Sequence, residues 1–183
     1  SELCMWMESD NRVYGLTRNP YDPTRTVGGS SGGEAALLGA GAAPFGLGSD
    51  VGGSIRMPAF FCGVFGHKPT GGLVPNGGQF PNASNEASRY LTTGPMCRRA
   101  ADLAPLLRIL AGPPHEIPRN LPWRLGDPDR VSPKELRVFV VPDNGWLPVA
   151  PSLRAAQRRA ADALAARGAT VEERPIEGLR DSL

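Results

Sequence analysis

Two serines set in glycine turns are the residues whose types and spacing could do chemistry. Ser30 lies in Gly28-Gly29-Ser30-Ser31-Gly32-Gly33 and Ser54 in Gly52-Gly53-Ser54. Glycine removes the steric bar to positive φ and lets successive backbone N–H groups turn toward one point. A hydroxyl inside such a turn is offered to a ligand rather than to its own secondary structure. Because Ser54 follows two glycines, the N–H groups of Val51, Gly52, Gly53 and Ser54 can converge on one oxygen, as an oxyanion requires. Taken alone, Gly-Gly-Ser also fits a turn with a buried serine. Beside the first cluster, the reading is a nucleophile at Ser54, with Ser31 as a supporting hydrogen bonder. Asp50 and Arg56 carry opposite charge on either side of the loop, and holding it rigid is the role expected of both. An Arg56 that bound substrate would suit an anion, whereas Phe60 and Phe61 argue for an apolar molecule.

Elements must bring the two serines together. The small residues after Gly33 predict a helix over Glu34–Ala43, packed through Ala35, Leu38 and Ala42. Phe45–Ser49 reads as a short strand in the sheet interior with Leu47 buried, leading into the tight loop Asp50–Ser54. Ile55–Cys62 reads as a short helix, with Pro58 tolerated in its first turn. Residues 1–27 read as loops with one short strand. Val64–Thr93 reads as ordered loop held by Leu73, Val74 and Phe80. Apolar residues at Leu103, Leu106, Leu107 and Leu110 predict a helix over Ala100–Ala111, stopped by Gly112-Pro113. The proline-rich run Gly112–Pro133 reads as a surface excursion. The chain then offers a buried strand at Leu136–Val141 and a helix capped by Ser152. That helix presents Leu153, Ala156, Ala160 and Leu164, and a strand follows at Thr170–Ile176. Such a strand–helix–strand crossover favours parallel pairing.

Composition bounds the rest. The 183 residues suffice for one domain with a sizeable core. A net charge of +2 argues against nucleic acid as partner. Cys4, Cys62 and Cys97 have no metal-ligand spacing and fit a reduced, intracellular chain, so no metal and no cofactor are expected. There is no apolar run of roughly eighteen residues to span a bilayer. Neither glycine cluster ends in Gly-Lys-Ser/Thr, and neither His67 nor His115 accompanies a G-x-S-x-G elbow, so a P-loop is excluded and a Ser–His–Asp triad disfavoured.

The stretch Gly28–Thr70 resembles the signature of the amidase signature family, serine hydrolases that use a Ser–Ser–Lys triad. Both serine clusters match at the family's spacing, as does the trailing Gly66-His67-Lys68-Pro69-Thr70. Thr17-Arg18-Asn19-Pro20-Tyr21-Asp22-Pro23 and Thr93-Gly94-Pro95-Met96-Cys97-Arg98 resemble flanking elements of that family. Ser49–Phe61 is most similar to the fatty-acid amide hydrolase branch. Ser1–Trp6 and Pro75–Pro81 look most like its second animal type. The resemblance implies an α/β fold: an internal segment of the amidase signature fold, with a mixed β-sheet core flanked by helices. Residues 1–183 would be part of one such domain, continued at both ends. It implies a serine amidase acting on fatty-acid or other apolar amides, a small-molecule amide as partner, and a cytoplasmic or membrane-associated location. It leaves room for a homodimer and for membrane attachment through regions outside this chain.

The resemblance also gives roles. Ser30 would be the bridging serine, taking the proton of Ser54 and returning one to the leaving nitrogen, with a cis Gly29–Ser30 bond. The two hydroxyls are then expected within hydrogen-bond reach. The family's catalytic lysine lies upstream of the first cluster, before Ser1. The only lysines present are Lys68, which matches the structural G-x-K-P-T lysine, and Lys134. The segment by itself is therefore expected not to turn over. Two other readings stay open. An amidotransferase A-type subunit would release ammonia from glutamine, though its loop usually has Thr and Gln where this chain has Val51 and Met57. A non-catalytic module could use the glycine loops to bind an anion.

Overall fold

The computed structural model describes residues 3–81, 87–111 and 125–176. The chain divides into two compact units, residues 1–125 and 126–183.

The first unit opens with a two-stranded antiparallel pair, β1 (Asp10–Asn11) and β2 (Gly15–Leu16), and then enters helix α1 (Gly32–Gly39). Next come strand β3 (Phe45–Asp50), helix α2 (Arg56–Phe61) and strand β4 (Phe65–Gly66). A short helix α3 (Ala87–Tyr90), strand β5 (Thr92–Cys97) and helix α4 (Leu103–Leu110), entered through a 3-10 turn at Ala100–Asp102, complete it. β5 is central, antiparallel to both β3 and β4, with Gly48 opposite Gly94 and Leu47 opposite Pro95. Sequence reasoning assigned no strand here, because Gly94 and Pro95 both weaken a central strand.

The core lies where α1 and α2 cross the sheet: Ala35, Leu38, Ile55 and Met96 are fully buried. A buried Leu38 alone contributes about 1.5–3 kcal/mol. The sheet side of this packing is built by glycine. A Cβ at Gly48 would stand 2.7 Å from both Ile55 Cγ1 and Ser31 Oγ. At Gly48 the strand can carry α1 and α2 this closely only without a side chain.

Several expectations need correction. Among the described residues β3 is an edge strand of a three-stranded sheet, and Leu47 is 48% exposed, because the buried face belongs to Gly46, Gly48 and Asp50 instead. Helix α1 ends at Gly39, so Ala42 lies past it and is exposed, while Ala35 and Leu38 pack as expected. In the ordered loop Leu73 and Val74 are buried, but Phe80 is 75% exposed.

The second unit is a parallel pair, β6 (Arg137–Val140) and β7 (Thr170–Glu173), joined by helix α5 (Pro151–Ala165). The parallel crossover is as predicted. The burial is not: β6 alternates exposed and half-buried, so one face only is covered. On the other face the Arg137 and Arg174 guanidinium carbons lie 5.5 and 4.3 Å from the Phe139 ring centroid. Helix α5 starts one residue before Ser152, with Pro151 in its first turn and Ala150 as N-cap, and it buries Ala161. Ala156 and Ala160 are exposed. The excursion predicted over Gly112–Pro133 falls largely outside the described residues, as does His115. Its described end holds 3-10 turns at Pro128–Arg130 and Pro133–Glu135.

Candidate active site

The loop from Asp50 to Arg56 is organised by one carboxylate. Asp50, the last residue of β3, is fully buried. Its Oδ1 accepts from the Gly53 N–H at 2.7 Å and its Oδ2 from the Ile55 and Arg56 N–H groups at 3.1 and 3.3 Å. The Arg56 guanidinium closes the ring, Nε donating to Oδ2 and Nη2 to Oδ1, both at 3.1 Å. Burial by itself would push the Asp50 carboxyl up. The Arg56 guanidinium and the N–H groups of Ile55, Gly53 and Arg56 outweigh it and hold the carboxyl below the usual carboxylate range. Arg56 thus spends its fork on Asp50 rather than on a ligand. Gly53 sits at φ 135°, a conformation a side chain resists, and this turns its N–H into Asp50. Of the four loop amides considered for an oxyanion, that of Gly53 is taken by Asp50, and those of Val51, Gly52 and Ser54 have no acceptor among the described residues.

The first cluster is held differently. The Gly29–Ser30 peptide bond is cis, as the resemblance implies. A Cβ at Gly29 would stand 2.5 Å from the Trp6 carbonyl oxygen and 2.7 Å from the Glu8 nitrogen, so the 6–8 backbone lies directly on it. Buried Ser9 donates from Oγ to the Gly28 carbonyl at 2.9 Å. Buried Asn19 ties the approach to α2, donating from Nδ2 to the Phe61 carbonyl at 2.9 Å and the Thr26 carbonyl at 3.2 Å. The clusters meet through their backbones: Ser31 N–H donates to the Ser54 carbonyl at 3.0 Å.

Two cavities border the serines. One of about 580 Å³ is lined by Ser54, Gly52, Trp6, Met7, Glu8 and Met57, and is mainly apolar. The other, of about 680 Å³, contains Ser30 and Ser31 and mixes polar groups such as Glu34, Asn76 and Thr93 with apolar ones such as Leu47, Val74 and Leu110. Phe60 and Phe61 line neither. The apolar wall comes from Trp6, Met7 and Met57, which sequence reasoning did not single out. Ser9, Asn19 and Asn76 were missed as well, since isolated small polar residues in loops carry no periodic signal. Asn76 receives the Thr93 N–H at 3.2 Å and the Thr93 hydroxyl at 2.9 Å. Lys68 is half-buried and lines neither cavity; nor does Lys134, in the second unit. No group of metal-ligating side chains occurs among the described residues, and no helix among them is long and apolar enough to cross a membrane.

Comparison with known proteins agrees with this architecture. The amidase family model matches residues 1–182. Fatty-acid amide hydrolase 2-A of Danio rerio is 51% identical over 187 residues, covering 100% of this chain and 34% of that protein. The A-type subunit of glutamyl-tRNA(Gln) amidotransferase from Exiguobacterium sp. is 38% identical over 185 residues, covering 100% of this chain and 38% of that protein. Among solved structures, 6-aminohexanoate cyclic dimer hydrolase complexed with substrate superposes with a TM-score of 0.79 at 33% identity, over 96% of this chain and 37% of that one. The chain thus spans about a third of the length of the curated relatives it matches. With the family model and a full-length match at this identity in agreement, the chain belongs to the amidase signature family.

Proposed function

We propose that this chain carries the nucleophile and the bridging serine of a serine amidase that hydrolyses fatty-acid or other apolar amides. Ser54 Oγ attacks the amide carbonyl while its proton passes to Ser30. The tetrahedral oxyanion is met by the N–H groups of Val51, Gly52 and Ser54. As the C–N bond breaks, Ser30 returns a proton to the departing amine, leaving an acyl ester on Ser54. Water then adds to the ester, releasing the carboxylic acid and restoring the hydroxyl. The base behind Ser30 is a lysine upstream of Ser1, and residues 1–183 form part of the single domain that brings it to the site.

The observation that carries this reading is the pinned loop. A fully buried carboxylate fixes the turn bearing Ser54 while the backbone of the first cluster bonds directly to it. The apolar cavity at Ser54 supports a hydrocarbon acyl group. The test is fluorophosphonate labelling of the full-length protein with turnover of a fatty amide. Labelling and turnover should both vanish in Ser54→Ala, and turnover should collapse in Ser30→Ala. An unlabelled Ser54 in the full-length protein overturns the reading, and so does turnover by residues 1–183 alone.

The match to the amidotransferase supports a second reading, ammonia release from glutamine. The cavity at Ser54 disfavours it, because Trp6, Met7 and Met57 offer a polar amino acid little beyond Glu8. Glutamine turnover exceeding that of a fatty amide would decide for it.

A further inference from the structure

Both side-chain amide protons of buried Asn19 are engaged, and they go to the two segments that carry the serines. One is donated to the Phe61 carbonyl at 2.9 Å and the other to the Thr26 carbonyl at 3.2 Å. The Asn19 side-chain oxygen accepts from the Tyr21 N–H at 3.0 Å, so its partners settle which end of the amide is which. Pro20 and Pro23 stiffen the turn that presents Asn19, and Asp22 closes it by accepting from the Thr24 N–H at 3.0 Å.

The Phe61 end leads to Ser54. Carbonyls in the last turn of a helix have no partner inside it. At the end of α2 the N–H groups of Cys62, Gly63 and Val64 turn back onto the carbonyls of Pro58, Phe60 and Ala59, and Asn19 meets that of Phe61. The same short helix starts at Arg56, just past Ser54, and its Met57 N–H donates to the Gly53 carbonyl at 2.7 Å. The Thr26 end leads to Ser30. The Thr26 hydroxyl accepts from the Gly28 N–H at 3.0 Å, just ahead of Ser30. Gly28 also lies against α2 itself, since a Cβ there would stand 2.6 Å from Phe61 Cδ2 and 3.5 Å from the Pro58 nitrogen. One amide nitrogen thus joins the helix behind the nucleophile to the chain entering the first cluster.

Resting on the amidase reading above, we propose that Asn19 is a positioning residue for the proton steps, holding α2 and the first cluster together so that Ser30 stays in place against Ser54. Its side chain lines neither cavity and acts through the backbone. Ser30 receives the Ser54 proton and later gives one to the departing nitrogen, and both transfers demand hydrogen-bond distance. A misplacement of about 1 Å can slow such a step by about a hundredfold. The nucleophile loop has its own support in Asp50, so loosening Asn19 displaces Ser30 relative to a loop that keeps its shape. An amide then suffers more than an ester with a good leaving group, because the departing amine needs the proton that Ser30 delivers.

The test compares, in the full-length protein, the primary amide of a fatty acid with the 4-nitrophenyl ester of the same acid. The acyl chain is shared, but nitrophenolate departs without a proton and an amine does not. In Asn19→Ala the expected loss in kcat/KM is roughly tenfold larger for the amide than for the ester, and the amide's loss falls in kcat rather than KM. Thr26→Val removes the acceptor of the Gly28 N–H on the same path and should shift the ratio in the same direction by less. Equal losses on the two substrates in a folded Asn19→Ala would mean that the side chain serves stability only, and a change confined to KM would place it in binding. Either result overturns the proposal. Should Asn19→Ala fail to fold, Thr26→Val decides, and an unchanged amide-to-ester ratio there refutes the positioning role. A native protein that neither hydrolyses the amide nor labels at Ser54 with a fluorophosphonate would instead count against the amidase reading itself.

Discussion

Around Ser54 a buried side-chain charge holds the loop, whereas around Ser30 backbone is laid against backbone, with the Ser9 and Thr26 hydroxyls clamping Gly28. Asp50 gathers three N–H groups and a guanidinium on two oxygens, so the second cluster depends on an ionised group. The first depends on glycines small enough for residues 6–8 to touch and on the Ser9 and Thr26 bonds to Gly28. The contrast suits the proposed roles. An electrostatic hub beside the nucleophile directs the amide dipoles, and a steric clamp fixes the backbone of the bridging serine.

The largest effect that would test this difference is expected from Asp50→Ala. It removes every acceptor of the loop at once and leaves three N–H groups and a guanidinium without their partner. Breaking a buried charged network in this way costs about 3–5 kcal/mol. Denaturant unfolding of the full-length protein should show that loss, and fluorophosphonate labelling of Ser54 should fall at least tenfold. A variant with near-native labelling would mean that the loop keeps its shape without the carboxylate.

Gly29→Ala probes the other clamp and should cost less, about 1–3 kcal/mol, the range for forcing a carbon into a packed site. The neighbours of the added Cβ are backbone atoms of Trp6, Met7 and Glu8, which cannot rotate away. Thermal unfolding reads the loss. No charge is involved, so the cost should be the same at pH 3 and pH 7, and a pH-dependent cost would break the comparison.

The same division explains what could be read in the sequence. The glycine–serine clusters, α1, α2, the parallel crossover and the charge pairing across Asp50–Arg56 were all legible, because each rests on local spacing or on opposite charges close in sequence. β5 was not. Its Gly94 and Pro95 argue against a strand, and only the contact with β3 and β4 overrides them. The burial of Leu47 was predicted from its apolar character, yet register decides it, since Gly46 and Gly48 take the inward positions. The charged clamp could be foreseen and the steric clamp could not. Ser9 and Asn19 gain their partners from Gly28, Thr26 and Phe61, which no periodicity links to them.

The smallest effect, and the sharpest on mechanism, is expected from Arg56→Met. Methionine keeps the unbranched stem while removing the charge and both guanidinium bonds to Asp50. The Arg56 side chain is 55% exposed, so solvent screens the pair and the cost at pH 7 should be about 1 kcal/mol. Its pH dependence follows from the direction of the Asp50 shift. The folded carboxyl titrates below its ordinary value of 3.8, so its stabilisation is fully present above that value and is lost as pH falls through the folded one. Without the guanidinium the folded carboxyl moves up toward its ordinary range, and acid unfolding should begin at a higher pH than in the native protein. Once Asp50 is protonated in both proteins the guanidinium has no anion to hold, so the difference between them should shrink toward zero as pH falls through the native folded value. Denaturant unfolding of the two proteins across that range reads it directly. A difference that stays constant through the acid titration of Asp50 would show that Arg56 acts through something other than the charge of that carboxylate.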